Sequence, residues 1–224
     1  MKNYNYALFH LNIIDKIVKK KRENFFKFIT SKIKTDLLQS YLDIGTTEDL
    51  KSESSNYLNQ KFDFIKIHKS ISDQNINNKR FAHILKKSIT DNFSFDEIKL
   101  FKSDLVIANA TIEHVGSRSN QLKMIENMIN LTNNHMIVQT VSRYFPIETH
   151  TKIPFIHFLP NKIYRKIYSL LGFKYHALEE NLNLLTYKDI DEIFSNFKNV
   201  IDYKIYKIST FGITSNHLVI SKIK

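Results

Sequence analysis

The sequence contains no cysteine and no tryptophan, and only four glycines and three prolines among 224 residues. Without cysteine, disulfide bonds and thiolate metal sites are excluded, and a reducing compartment is expected. No stretch approaches the roughly 18 consecutive apolar residues that a membrane-spanning helix needs. Residues 1–10 carry polar Asn and Lys and lack the small-residue cleavage site of a secretion signal. We therefore expect a cytoplasmic protein.

The charge is unbalanced toward basic residues, with 33 Lys and Arg against 22 Asp and Glu, a net charge of +11. Such an excess is typical of proteins that bind nucleic acids or anionic membranes. The chain is also crowded with Lys, Asn and Ile, which is the composition that an AT-rich genome produces without any anionic partner. We favour this compositional explanation, so nucleic acid is an unlikely partner, and peripheral membrane contact stays open.

The apolar pattern predicts one α/β domain over residues 1–224, with 42% hydrophobic residues to form its core. Residues 1–34 have apolar side chains at helical spacing and predict an N-terminal helical segment. Short apolar runs at 40–46, 105–108 and 136–138 predict buried strands, and residues 62–71 and 81–89 predict two more. A helix capped by Ser117 or Ser119 should follow Gly116, and this alternation of strands and helices implies parallel pairing.

The C-terminal third has a different character. Residues 143–172 hold all three prolines and many aromatic residues, and within them residues 161–171 predict a basic amphipathic helix. Thr186 should cap a helix over residues 186–194, with Asp189 at its third position. Residues 200–208 and 217–220 predict paired strands that close one edge of the sheet.

Two segments carry candidate chemistry. Residues 41–49 read Tyr-Leu-Asp-Ile-Gly-Thr-Thr-Glu-Asp, a strand that ends in a carboxylate and a glycine. In an open α/β sheet, ligands bind where such strands end, and glycine lets a ligand approach the main chain closely. Residues 104–108 form a second buried strand, followed by Asn109 and then by the tripeptide at 113–115, Glu-His-Val.

Together these segments resemble the class I S-adenosylmethionine-dependent methyltransferases. Their first motif typically reads Leu-Asp-x-Gly, and their fourth strand reads Phe-Asp-x-Val-x-x, often trailed by Glu-His. The resemblance implies a Rossmann-like, seven-stranded, mostly parallel sheet with an antiparallel C-terminal strand pair, flanked by helices. It also implies S-adenosyl-L-methionine as cofactor, and it covers residues 40–141 best.

The resemblance implies a set of cofactor-binding residues: Asp43, Gly45, Thr46, Thr47, Ser88, Ile89 and Asn109. Three departures from the family pattern weaken this assignment. The further glycines of the first motif are replaced by Thr46, Thr47 and Glu48. The acid that usually ends the second strand is missing from residues 67–70, with only Asp63 and Asp73 nearby. Ser88 stands where the family commonly has an acid after the third strand, and Asp91 is the residue that could take over that role.

Histidines supply the candidate catalytic groups. His114 has a side chain whose ordinary pKa allows it to take a proton from an acceptor hydroxyl, although Glu-His in this family can also be purely structural. His150 and His157 are rival bases. No histidine pair has the spacing of a metal site with a third ligand, so no metal is expected.

Residues 143–172 lie where this fold commonly places its substrate lid. We expect Arg143, Tyr144, His150 and His157 to contact the acceptor. Two alternatives remain open: the insert rests on an anionic membrane through its basic helix, or it packs on the sheet as a structural element.

The function that follows from the resemblance is methyl transfer from S-adenosylmethionine to a small or lipid-linked acceptor, with O-methylation expected. The alternative is a degenerate methyltransferase fold that acts as a non-catalytic binding or partner subunit. A nucleic-acid methyltransferase ranks last, because Asn-Ala-Thr-Ile at residues 109–112 replaces the Asn-Pro-Pro-Tyr motif of many such enzymes.

Overall fold

The computed structural model describes residues 12–48 and 56–224. Six helices and seven strands make up this part of the chain. The helices are α1 (Asn12–Lys32), α2 (Tyr57–Lys61), α3 (Phe95–Phe101), α4 (Arg118–Asn130), α5 (Asn161–Leu170) and α6 (Tyr187–Ser195). The strands are β1 (Ser40–Ile44), β2 (Ile67–Ser72), β3 (His83–Lys86), β4 (Ser103–Asn109), β5 (Thr132–Val141), β6 (Ile201–Thr210) and β7 (Ile213–Ile223).

The seven strands form one sheet in the order β3-β2-β1-β4-β5-β7-β6. The first five strands in this order pair in parallel, whereas β7 runs antiparallel to both β5 and β6. This confirms the predicted architecture, including β1, β4 and β5 as neighbouring central strands. Their near-continuous apolar sequences are explained by helices that cover both faces of the sheet.

The alternation of side chains along the central strands separates two hydrophobic cores. Val106 and Ala108 of β4 belong to the core that α4 and α6 cover. Leu105 and Ile107 of the same strand belong to the opposite core, which α1 and α2 cover. Because successive residues of a strand point to opposite faces, one apolar strand contributes to both cores.

Several predicted boundaries differ from the structure. The second strand is Ile67–Ser72 instead of 62–71, because Phe62 and Ile65 pack into the core from the turn that follows α2. The third strand has four residues, His83–Lys86, within the predicted range 81–89. Helix α3 was not predicted, although Ser94 and Glu97 form a capping box at its start.

The remaining helix predictions agree with the described elements. Ser117, rather than Ser119, caps α4. Thr186 and Asp189 form the predicted capping box of α6. Helix α1 covers residues 12–32 of the predicted segment 1–34, whose residues 1–11 lie outside the described part. In the part of the chain that the structure describes, no helix is both long and apolar enough to cross a membrane.

Candidate functional site

A cleft of about 440 Å³ opens at the carboxyl edge of the parallel strands. The loops that follow β1, β2, β3 and β4 all meet at this edge, since parallel strands end on the same side of a sheet. Five of the seven predicted cofactor-binding residues line the cleft: Gly45, Thr47, Ser88, Ile89 and Asn109.

The other two predicted residues, Asp43 and Thr46, are buried and do not line this cleft. The carboxylate of Asp43 accepts hydrogen bonds from Tyr41 Oη at 3.1 Å, Thr46 Oγ1 at 2.7 Å and Asn59 Nδ2 at 2.9 Å. Burial raises the pKa of Asp43, and these three donors oppose the rise. Asp43 therefore holds the loop after β1 in shape, and it lines a smaller adjoining cavity of about 70 Å³.

Gly45 allows a close contact between two loops of the site. Its φ of +79° lies in the left-handed region, and its amide donates to Ile71 O at 2.9 Å. A Cβ atom at this position would lie 2.6 Å from Thr111 Oγ1 and 2.8 Å from Thr111 Cγ2. The sequence predicted that a ligand approaches the main chain closely at Gly45, whereas the group that occupies the Cβ position in the structure is Thr111, in the loop that follows β4.

Asp73 follows β2 directly and lines the cleft together with Gln74. Of the two acids that the sequence analysis named near the end of the second strand, Asp73 is the one that lines the cleft, because β2 ends at Ser72. Asp63 lies elsewhere, where it forms an ion pair with Arg80. Asp91 accepts a hydrogen bond from the Ser88 amide at 3.1 Å and so shapes the loop after β3.

Arg22 of α1 also lines both cavities. Its positive charge helps to lower the pKa of Asp43 against the effect of burial. Sequence reasoning missed this residue as a site component. The basic run at residues 19–22, which interrupts the apolar spacing of the helix, was the available signal.

The far end of the cleft contains two histidines in contact. His114 lies in a single 3-10 turn, Ile112–His114, and its Nδ1 is 2.7 Å from Asn181 O. His114 Nε2 is 3.0 Å from Nε2 of His150. Burial lowers the pKa of His114 to about 3, so this imidazole is neutral. Both of its ring nitrogens are engaged, which leaves little freedom for it to act as a base.

Two buried carboxylates stand next to this pair. Glu148 Oε1 lies 2.6 Å from His150 Nδ1. Burial by itself would lower the pKa of His150, but the charges of Glu148 and Glu113 raise it above its ordinary value. Glu113 is fully buried and accepts a hydrogen bond from Thr140 Oγ1 at 2.9 Å. Burial raises the pKa of Glu113.

The insert after β5 brings only one of its four predicted acceptor contacts to the cleft, namely His150. Arg143 donates to Leu159 O, the ring of Tyr144 packs edge-on against Phe158, and Nε2 of His157 lies 2.8 Å from Phe145 O. These three residues do not line the cleft. Tyr175, Glu180 and Asn181 do, although they lie beyond the predicted insert and no motif marks them.

We expect Gly45→Ala to destabilise the protein more than Gly212→Ala. Both glycines have positive φ, which costs a side-chain-bearing residue about 1–2 kcal/mol, but nothing lies within 4 Å of a Cβ at Gly212. The collision with Thr111 should add a further ~1–3 kcal/mol at Gly45. Urea unfolding measures both losses.

Thr111→Ala in the Gly45→Ala background removes the two clashing atoms. A double-mutant cycle should therefore show a favourable coupling of about 1 kcal/mol between the two substitutions. Equal destabilisation by Gly45→Ala and Gly212→Ala would contradict the steric role of Thr111.

No protein-family model and no curated protein sequence matches the chain. Solved structures do resemble it. Magnesium protoporphyrin IX methyltransferase from Synechocystis PCC 6803 with bound SAM has a TM-score of 0.54 at 10% identity, over 98% of this chain and 88% of that one. The N-methyltransferase NodS from Bradyrhizobium japonicum WM9 has a TM-score of 0.50 at 9% identity, over 93% and 98% of the two chains.

The small RNA methyltransferase HEN1 has a TM-score of 0.55 at 13% identity, over 91% of this chain but 25% of its own. Identities this low show a common fold and leave the acceptor undetermined. The strand order, the reversed strand β7 and the cleft at the carboxyl edge agree with that likeness. This chain has the fold of the class I S-adenosylmethionine-dependent methyltransferases.

Proposed function

We propose that the protein transfers a methyl group from S-adenosyl-L-methionine to a small or lipid-linked acceptor. The observation that carries this proposal is the cleft at the carboxyl edge, which joins the loops after β1 to β4 to the two histidines at its far end. Its volume of about 440 Å³ is in the range of small-molecule and cofactor sites. A bound sulfonium supplies an already activated methyl group, so the protein contributes mainly positioning.

The cleft residues fit the cofactor in three places. Gly45, Thr47 and Asn109 would hold the methionine part, since all three line the cleft. The carboxylate of Asp73 would accept hydrogen bonds from the ribose hydroxyls. Ser88 and Ile89 would contact the adenine, with Ile71 contributing a further apolar surface.

The acceptor would occupy the far end of the cleft, against His114 and His150. This end also carries Tyr175, Glu180 and Asn181. Imidazole, phenol and carboxylate groups form hydrogen bonds with a hydroxyl, which supports an oxygen acceptor. None of these five residues is Lys or Arg, whereas nucleic acid binding depends on such cations, so we favour a small molecule.

The cofactor assignment predicts that Asp73→Asn weakens binding of S-adenosylmethionine by about 10-fold or more, the loss typical of one charge-assisted hydrogen bond. Calorimetric titration with S-adenosylmethionine and S-adenosylhomocysteine measures this change. Asp63→Asn is the matched control, because Asp63 is exposed and paired with Arg80 outside the cleft, and it should bind like the wild type.

Two results would count against the assignment. Equal affinities of the Asp73 and Asp63 variants would place the ribose elsewhere. A wild-type protein that binds neither ligand at millimolar concentration would favour the alternative, a methyltransferase fold used as a non-catalytic partner subunit.

The outer surface of the insert supports a lipid-linked acceptor in particular. Three large apolar side chains there are about half exposed: Tyr144 at 57%, Phe155 at 59% and Ile163 at 49%. Lys162 and Lys166 of α5 lie on the same insert and are exposed. Aromatic and basic side chains together are typical of surfaces that rest on anionic membranes. We therefore propose a cytoplasmic protein with peripheral membrane contact.

This membrane proposal predicts that the protein sediments with vesicles containing anionic phospholipid and that Phe155→Ser reduces the bound fraction several-fold. Phe64→Ser is the control, since Phe64 is 55% exposed and precedes β2, at the edge of the sheet opposite to the one where the insert leaves β5. If both variants bind vesicles as the wild type does, the exposed face of the insert is not the membrane contact.

A further inference from the structure

Three side chains at the far end of the cleft form a set of metal-ligand type. Glu113, His114 and His150 each offer one ligand atom, and these atoms all lie within 4.8 Å of one another. Glu113 and His114 belong to the 3-10 turn after β4, and His150 comes from the insert after β5. The sequence did not predict a metal site, because His150 lies 36 residues after His114 and only the fold brings it to the Glu113–His114 pair.

The second nitrogen of each histidine is held in the way that metal-bound histidines usually are. Nδ1 of His150 donates to the carboxylate of Glu148, and Nδ1 of His114 donates to the carbonyl of Asn181. A carboxylate or carbonyl partner on the far nitrogen fixes the ring orientation and leaves Nε2 for the metal. Here the two Nε2 atoms point at each other across 3.0 Å.

Glu113 supplies the second independent observation. Its side chain is fully buried, and within residues 12–48 and 56–224 its Oε1 atom has no hydrogen-bond partner. Its other oxygen accepts from Thr140 Oγ1, which fixes the carboxylate in place. A buried carboxylate oxygen without a partner is costly, and a cation next to it would remove that cost.

We propose that Glu113, His114 and His150 bind a divalent transition-metal ion, Zn²⁺ in the first instance. Two imidazole nitrogens and one carboxylate oxygen form a ligand set that suits zinc and leaves a further coordination position open. Magnesium and calcium prefer all-oxygen sites. Since His114 and His150 line the cleft, the open position faces it. Contact of the ion with an acceptor oxygen rests on the proposed methyl transfer, whereas metal binding does not.

The test is metal binding to the full chain after treatment with a chelator. Calorimetric titration with Zn²⁺ and the visible d–d absorption of Co²⁺ should both show one ion per chain. His114→Asn and His150→Asn should abolish stoichiometric binding. Glu113→Gln keeps the shape of the side chain and removes its charge, so it should weaken binding and alter the Co²⁺ spectrum even if a histidine variant fails to fold.

Two further variants sharpen the test. Glu148→Gln acts through His150 and should weaken Zn²⁺ binding by about 10- to 100-fold, the usual effect of losing such a supporting carboxylate. His68→Asn is the control, because His68 is a buried histidine of β2 that packs against Tyr41 and does not line the cleft. It should bind Zn²⁺ as the wild type does, with circular dichroism confirming that each variant is folded.

A wild-type protein that binds neither Zn²⁺ nor Co²⁺ at stoichiometric concentration would overturn the proposal, as would binding that the Glu113, His114 and His150 variants leave unchanged. Tighter binding of Mg²⁺ than of Zn²⁺ would overturn the class of ion. Affinity for S-adenosylmethionine, measured on the same samples, separates the two proposals: cofactor binding without metal refutes only the metal site, and metal binding without cofactor refutes only methyl transfer.

Discussion

The contact between Gly45 and Thr111 is the constraint on which the rest of the site depends. It joins the loop after β1 to the loop after β4, and these loops form adjacent walls of the cleft. Thr111 Oγ1 donates to Ile44 O at 3.1 Å, so the same side chain that excludes a Cβ at position 45 also ties the two loops together. A chain with only four glycines keeps one here because the approach leaves no room for a side chain.

Below this contact, the loop that carries the cleft surface is held by a buried carboxylate. A family member with several glycines in its first motif brings main chain to the ligand through flexible residues. In this chain Thr46 stands in one of those positions, and its hydroxyl donates to Asp43 and accepts from Ser70 Oγ at 2.8 Å. These two hydrogen bonds attach the start of the loop after β1 to β1 and to β2.

The sequence predicts the centre of the sheet well, because a strand buried on both faces must be apolar at almost every position. That signal identified β1, β4 and β5 and hence the edge at which the cleft lies. It failed at β2, where Phe62 and Ile65 are apolar for a different reason, their burial beside α2. The start of β2 was therefore predicted too early, whereas its end was predicted to within one residue. The short capping box at Ser94 was present in the sequence and overlooked.

The end of the cleft that carries His114 and His150 could not be predicted by the same means. Its residues come from the turn after β4, from the insert and from the segment before α6, so no local periodicity or spacing connects them. The main-chain oxygen of Asn181 accepts from His114 Nδ1, and the amide of Asn183 donates to Glu113 O at 2.7 Å. The segment after the insert therefore contacts the Glu-His turn through its own main-chain atoms. Main-chain contacts of this kind place no demand on residue type and leave no trace in the sequence.

One hairpin within the insert separates its two surfaces. Ile147 pairs with Pro154, and the carboxylate of Glu148 accepts from the amides of His150 and Thr151, so the turn between them is rigidly closed. This closure directs His150 into the cleft, while Phe155 just beyond the hairpin is exposed. The cleft and the exposed face of the insert therefore receive His150 and Phe155 from one short stretch of chain. The proposed lipid-linked acceptor would use both sides of this turn, with its apolar part in the membrane and its reactive group against His114 and His150.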